Sequence, residues 1–232
     1  MKESIKEYVQ SERYAKKTSE MIADVNAAMD NIKTTDAAAR LKGAKRLSYH
    51  SRRELWDECL AIREWFCDDN TRIELSEICC GESDEKVLRD LLSTVKFIYS
   101  RYMIHPIWRD FFTLERIKED ESKYIKWVFP IAENCLRLSA DVDVEIAGIF
   151  AICRDSRAWD IYNDILPKKS ALCSWARADV RDYAQYSITE TQKNNLIHTL
   201  NRICGKVKNP STQREAEKII KDLLEVPSTA VL

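Results

Sequence analysis

Three histidines, eight cysteines and six tryptophans are the side chains from which a reaction centre or a binding anchor would have to be built. His50 lies in a basic stretch, His105 precedes Pro106, and His198 sits within NNLIHTLNRIC, three residues from Asn195 and six from Cys204. A Cys–His nucleophile needs its two side chains in hydrogen-bond contact. No local signature surrounds His198, so a partly exposed helical histidine is expected there. The cysteines (Cys59, Cys67, Cys79, Cys80, Cys135, Cys153, Cys173 and Cys204) include an adjacent pair but no Cys-x-x-Cys, and they lack the ligand spacing of a zinc site. The sequence carries no Walker A motif, Gly-x-Gly-x-x-Gly loop, nucleophile elbow or His-Glu-x-x-His. A non-catalytic protein without cofactor, metal or disulfide is the expectation.

Binding chemistry is better represented. Arg40, Lys42, Lys45, Arg46, Arg52 and Arg53 place six cations in fourteen residues with no acid among them. If this stretch is helical, Lys42, Lys45, Arg46 and Tyr49 share a face suited to phosphate or an acidic protein surface. Trp56, Trp65, Trp127 and Trp159 fall in apolar stripes and read as core. Trp108 and Trp175 stand near helix starts, where an aromatic side chain facing a groove makes a good anchor. The acidic run Glu119-Asp120-Glu121 reads as a solvated helix face. Net charge over the chain is −1, so no global field draws it to nucleic acid or membrane.

The elements that would position these groups are helices. Only four glycines and five prolines occur in 232 residues, too few for the tight turns of a strand-rich fold. Apolar residues recur at helical spacing over 3–33, with Thr34-Thr35-Asp36 ending one helix and capping the next. Helices are further expected over 37–47, 85–102, 107–118, 122–138 (kinked at Pro130), 176–188, 190–204 and 211–224. Ser51-Arg-Arg-Glu54, Thr71-Arg-Ile-Glu74 and Thr189-Glu-Thr-Gln192 have the capping-box pattern. Asp141 and Ser156 open two further helices and Pro167 ends the latter. The tail VPSTAVL, 226–232, is expected to fray. The charged amino-terminal stretch lacks the apolar run of a secretory signal, and no segment is apolar enough for a membrane span. The cytoplasm and reduced thiols are therefore expected.

A repeat underlies the pattern. NTRIELSEI, IWRDFFTLE, DVEIAGIFA, DVRDYAQYS and TQREAEKII each open a helix after a break. They place Arg72, Arg109, Glu145, Arg181 and Arg214 in equivalent positions, 37, 36, 36 and 33 residues apart. The unit is a helix pair of roughly 35 residues, within the range of helical solenoids. Val180-Arg181-Asp182-Tyr183-Ala184 and Gln213-Arg214-Glu215-Ala216 resemble the start of the second helix in HEAT-type repeats. That resemblance covers about residues 51–225 and implies an all-α solenoid of about five helix pairs. It leaves 1–50 as an amino-terminal helical extension and 226–232 as a tail.

The resemblance implies structural roles for Arg72, Arg109, Arg181 and Arg214, bonding carboxylates or carbonyls of neighbouring repeats. It also implies that second helices line a concave face, exposing Arg177, Arg181, Asp182 and Gln185 with Trp175 at its entrance. A small cytosolic inhibitor, adaptor or immunity protein with a protein partner is the function these features favour. The alternative is a nucleic-acid-binding protein like the alkylpurine DNA glycosylases, which use HEAT-like repeats. Against it stand the near-neutral charge and the single basic segment. Trp159-Asp160 is too short a match to carry their catalytic roles.

Overall fold

Every described element of the computed structural model is helical, and no strand occurs among the described residues, which are 7–8, 10–52, 62, 64–104 and 113–227. The α-helices are α1 (Glu12–Ile32), α2 (Ala37–Ser51), α3 (Asp69–Gly81), α4 (Glu85–Ile104), α5 (Leu114–Cys135), α6 (Ala140–Ile152), α7 (Arg157–Ile165), α8 (Cys173–Ser187), α9 (Glu190–Lys206) and α10 (Pro210–Glu225), with a 3-10 turn at Ser170–Leu172 before α8. None is long and apolar enough to cross a membrane.

Local chemistry sets the boundaries. The Asp36 carboxylate accepts the Ala38 N–H at 3.0 Å and starts α2. The Thr189/Gln192 box closes at the start of α9, the Thr189 hydroxyl accepting from Gln192 N–H at 3.3 Å and the Gln192 amide oxygen from Thr189 N–H at 3.2 Å. The Thr71 box does not form: Asp68 caps α3, because its carboxylate is already placed to accept the Thr71 N–H at 3.0 Å. The Ser51 box runs to Glu54, outside the described residues; Ser51 itself lies in the last turn of α2, its hydroxyl donating back to the Ser48 carbonyl at 3.0 Å. The break expected between 118 and 122 is also absent. LERIKEDESKYIKW contains no breaker, and the i,i+4 pairs Arg116–Asp120 (3.8 Å) and Glu119–Lys123 (2.8 Å) bridge that stretch within α5. The helix then continues through Pro130.

The chain divides into two compact units, Met1–Ile131 and Ala132–Leu232, the division falling inside α5. In the first, α1 packs on α2, α2 on α4, and α3 touches α4. Helices α2 and α4 run parallel: Arg40 near one end donates to Glu82 at 3.1 Å, and Arg52 past the other end donates to the Ser93 hydroxyl. Val25, Met29, Leu47, Leu88, Leu91 and Val95 form the core between them, all within 3% of full burial. Gly43 lets α2 approach the backbone of α1 at Ala28.

In the second unit α6 is buried around nearly its whole circumference; every residue from Val144 to Ile152 is buried. A helix apolar on all sides must be covered on all sides, and here α7 and α8 both pack on it. Contacts then skip one element: α7 packs on α9, and α8 lies between α6 and α10. Helices α7 and α9 run parallel in a fixed register. The Gln192 amide donates to the Ser156 carbonyl at 3.0 Å and the Thr199 hydroxyl to Asn163 Oδ1 at 2.6 Å, each pair 36 residues apart. Trp159 and Tyr162 are fully buried between the layers. Trp159 donates to the Ser187 hydroxyl at 3.0 Å, and Tyr162 donates to the Asp179 carboxylate.

Candidate binding surfaces

The basic segment keeps its helical face but loses much of its free charge. Helix α2 extends to Ser51, so Lys42, Lys45, Arg46 and Tyr49 are all exposed along one side. The arginines are nevertheless committed internally. Arg40 pairs with Glu82 at 3.1 Å. Arg46 Nε donates to Asp24 Oδ2 at 2.6 Å, and its guanidinium lies 4.9 Å from the Tyr49 ring. Arg52 bonds Ser93 and sits 4.9 Å from the Phe97 ring. His50, 2% exposed, brings Nε2 to 2.7 Å from the same Asp24 oxygen. The Arg46 hydrogen bond, aided by His50, holds the Asp24 carboxyl below the usual carboxylate range against the opposing pull of burial. Lys45 and Arg52 bear on the half-buried Asp90, whose carboxyl burial pushes up. The segment therefore ties α2 to α1 and α4 before it can meet a partner. Arg53 lies outside the described residues, as do Trp108, Arg109, Trp56, Cys59 and His105.

Helix α8 carries the other candidates. Trp175 is half-buried in its first turn. Arg177 reaches α10, with Nη1 3.3 Å from Glu215 and Nε 3.8 Å from Asp222. Arg181 is exposed and grips the adjacent Asp182 through two bonds of 2.8 and 3.1 Å. Gln185 is exposed one turn on. Arg181, Asp182 and Gln185 lie on the solvent side of α8, whereas Arg177 is turned toward α10. Two neighbours missed in the sequence complete the strip: Tyr186, 51% exposed, and Arg154, whose guanidinium lies 5.1 Å from the Tyr186 ring. Arg154 occupies the left-handed position after α6, at φ 59°. The Asp155 N–H bonds Phe150 O at 2.9 Å and the Arg154 N–H bonds Ala151 O at 3.0 Å, a Schellman closure. Glycine or asparagine is the sequence signal for that closure, so an arginine there left no trace to read.

The four described repeat positions do not share one environment. Arg72 is buried, donates to the Phe66 carbonyl at 3.3 Å and lies 5.4 Å from the Trp127 ring. Glu145 is buried inside α6, while Arg181 and Arg214 are exposed. Arg181 pairs with its own chain neighbour rather than with an adjoining helix.

The remaining chemistry is dispersed. His198 is exposed, and the Cys204 thiol is directed to the Gln213 carbonyl at 3.9 Å. Burial pushes the Cys173 thiol up to about 12. Trp159 is fully buried whereas Asp160 is exposed and accepts the Gln192 amide at 2.8 Å, so the two do not face one groove. Among the described residues no group of three or more His, Cys, Asp or Glu is arranged to hold a metal ion. Fold and surfaces define an all-helical protein with paired-charge faces. Compared with protein-family models, curated proteins and solved structures, the chain matches none.

Proposed function

We propose that this chain is a non-catalytic protein-binding protein of the cytoplasm, an inhibitor, adaptor or immunity protein. Its second unit is read as a stack of HEAT-like helix pairs that binds its partner through α8. The skip-one packing of the second unit carries this reading. Helices α6, α8 and α10 pack in one series and α7 and α9 in another, the latter pair in a 36-residue parallel register close to the spacing of the sequence repeat, and the side of α8 bearing Arg181 and Gln185 is left to solvent.

The charge arrangement there favours protein over nucleic acid. Arg177 is paired with Glu215 and Asp222, and Arg181 with Asp182. A phosphate backbone would have to break those pairs and meet their carboxylates. A protein surface with its own mixed charges can interdigitate with them, which gives specificity and register. The exposed Arg154–Tyr186 stack adds residue types enriched at interface hot spots.

The test uses wild-type protein and an Arg181→Glu/Tyr186→Ala double variant as parallel baits, followed by titration with each purified candidate. Both residues are exposed, so the two baits should melt within a few degrees of each other. A protein bound by the wild type and lost from the variant is expected. Retention of nucleic acid alone, or equal affinity of both baits, would overturn the proposal.

A further inference from the structure

Helices α8 and α9 are joined by Ile188 and Thr189 alone, and both lie against α10. Their arms are matched. Cys173 is the first residue of α8, fourteen before its last residue, Ser187. Cys204 lies in the last turn of α9, fourteen after its first residue, Glu190. At 1.5 Å of rise per residue each cysteine stands about 21 Å from the connection along its own helix. Helix α10 fixes the end at which they meet. The Cys204 thiol is directed to the Gln213 carbonyl at 3.9 Å, in the first turn of α10. Arg177, one turn after Cys173, reaches Glu215 at 3.3 Å, two residues beyond Gln213. The start of α8 and the end of α9 therefore converge on the start of α10, and each brings one cysteine.

Electrostatics agree with that placement. Burial, then the neighbouring Cys204 thiol, then Glu215 push the Cys173 thiol up to about 12. Burial and the Glu217 carboxylate raise Cys204 as well. Both are free thiols, and their access differs. Cys173 is fully buried. Cys204 is half-buried and adjoins Gly205, which has open space where a side chain would stand. A reagent from solvent reaches Cys204 first, and Cys173 is the thiol behind it.

We propose that Cys173 and Cys204 are a redox pair that closes to a disulfide when the chain meets a low-molecular-weight disulfide such as oxidised glutathione. The Cys204 thiol gives up its proton and attacks one sulfur of the reagent. The reagent's S–S bond breaks, and its other half leaves and is protonated to a thiol. Cys173 then loses its proton and attacks Cys204 Sγ, releasing the second reagent thiol. Two protein thiols are oxidised to one disulfide, and one reagent disulfide is reduced to two thiols. Neither protein thiol is acidified, so proximity rather than thiolate character makes the pair, and closure is slow at neutral pH.

The full chain is incubated with a large excess of oxidised glutathione, alkylated, digested without reductant and mapped by mass spectrometry. A peptide pair joined through Cys173 and Cys204, and separated again by reductant, is expected. Its rate of formation should rise roughly tenfold from pH 7 to pH 8, as for a resolving thiol that titrates far above that range. Cys173→Ala should leave glutathione attached at Cys204 as a stable mixed disulfide. Cys204→Ser, at a half-buried position, should leave Cys173 unmodified. The wild-type map needs no variant, so it decides the matter whatever Cys173→Ala does to the core. No Cys173–Cys204 linkage in the wild type, linkage of either to another cysteine in its place, or glutathione on Cys173 in folded Cys204→Ser would overturn the pair.

Discussion

Gly43 sits midway along α2 where that helix crosses α1, and a single methyl group added there tests the tightness of the first unit. A Cβ at this position would lie 2.5 Å from the Ala28 carbonyl oxygen, 2.8 Å from Ile32 Cγ1 and 3.1 Å from Asn31 Cβ. Two effects oppose each other in Gly43→Ala. Alanine favours the helix by about 0.5–1 kcal/mol, and overpacking a close contact costs about 1–3 kcal/mol. The oxygen decides the sign. It belongs to backbone, so it cannot rotate aside, and carbon–oxygen contacts rarely close below about 3.3 Å. Helix α1 would have to shift by most of an ångström against Val25, Ala28 and Ile32, all within 3% of full burial. The upper half of the overpacking range then applies, leaving a net loss of about 1–2 kcal/mol, or roughly 2–8 °C in Tm. Gly205→Ala is the control: it lies in the last turn of α9 with nothing within 4 Å, so only the helix preference remains and Tm should rise by a few degrees. Thermal unfolding followed by circular dichroism and by urea titration measures both. Gly43→Ala melting at or above the wild type would refute the close crossing of α1 and α2.

Three further outcomes follow from individual contacts. Thr189→Ala opens the capping box of α9 and should cost about 1 kcal/mol in urea unfolding, with faster hydrogen exchange at the 191 and 192 amides. Trp159→Ala empties a fully buried site and leaves Ser187 without its indole donor; a loss of about 3–5 kcal/mol is expected, and a loss under about 1 kcal/mol would remove Trp159 from the core. The Asp24 carboxyl is lowered in the folded state, so its contribution is present above the unfolded value near 4 and is lost as pH falls through the folded one. The stability difference between wild type and Asp24→Asn should therefore shrink as pH drops below about 4, and a difference constant down to pH 2 would show that the Arg46 and His50 contacts are not formed in solution.

Much of the helical organisation was legible because it rests on local rules. Scarce glycine and proline, the Thr189/Gln192 box and the Asp36 cap each act within four residues, and a sequence displays such relations directly. The failures came where several side chains competed for one backbone group. Asp68 reaches the Thr71 N–H, so Thr71 caps nothing, although its spacing to Glu74 fits the pattern. At 118–122 the expected break yields to ion pairs within a run that offers no glycine or proline to stop it. The basic segment was legible as a helix face but not as a set of ties. Its acceptors Asp24, Glu82 and Ser93 lie 22, 42 and 41 residues away from their arginines, and charge patterning along the chain carries no information about them.

The repeat positions show the same limit from the other side. Periodicity assigns Arg72, Glu145 and Arg181 to one place in successive units, yet their surroundings are set by how much covers each helix. Helix α6 has α7 and α8 packed on it, and Glu145 is buried with it; burial first, then the Asp179 carboxylate and last Glu145 raise the phenol of Tyr162 above its ordinary value. Helix α8 has α6 and α10 beside it and solvent beyond, so Arg181 stays exposed and finds the nearest acid, Asp182. A buried position must satisfy its charge within the fold, and an exposed one remains available for exchange with a partner's charges. Of the equivalent positions described, Arg181 is the one that is exposed on a helix also carrying an exposed aromatic, Tyr186, with Arg154 stacked on it, and this is why the proposed interface is placed on α8 rather than on the more strongly basic α2.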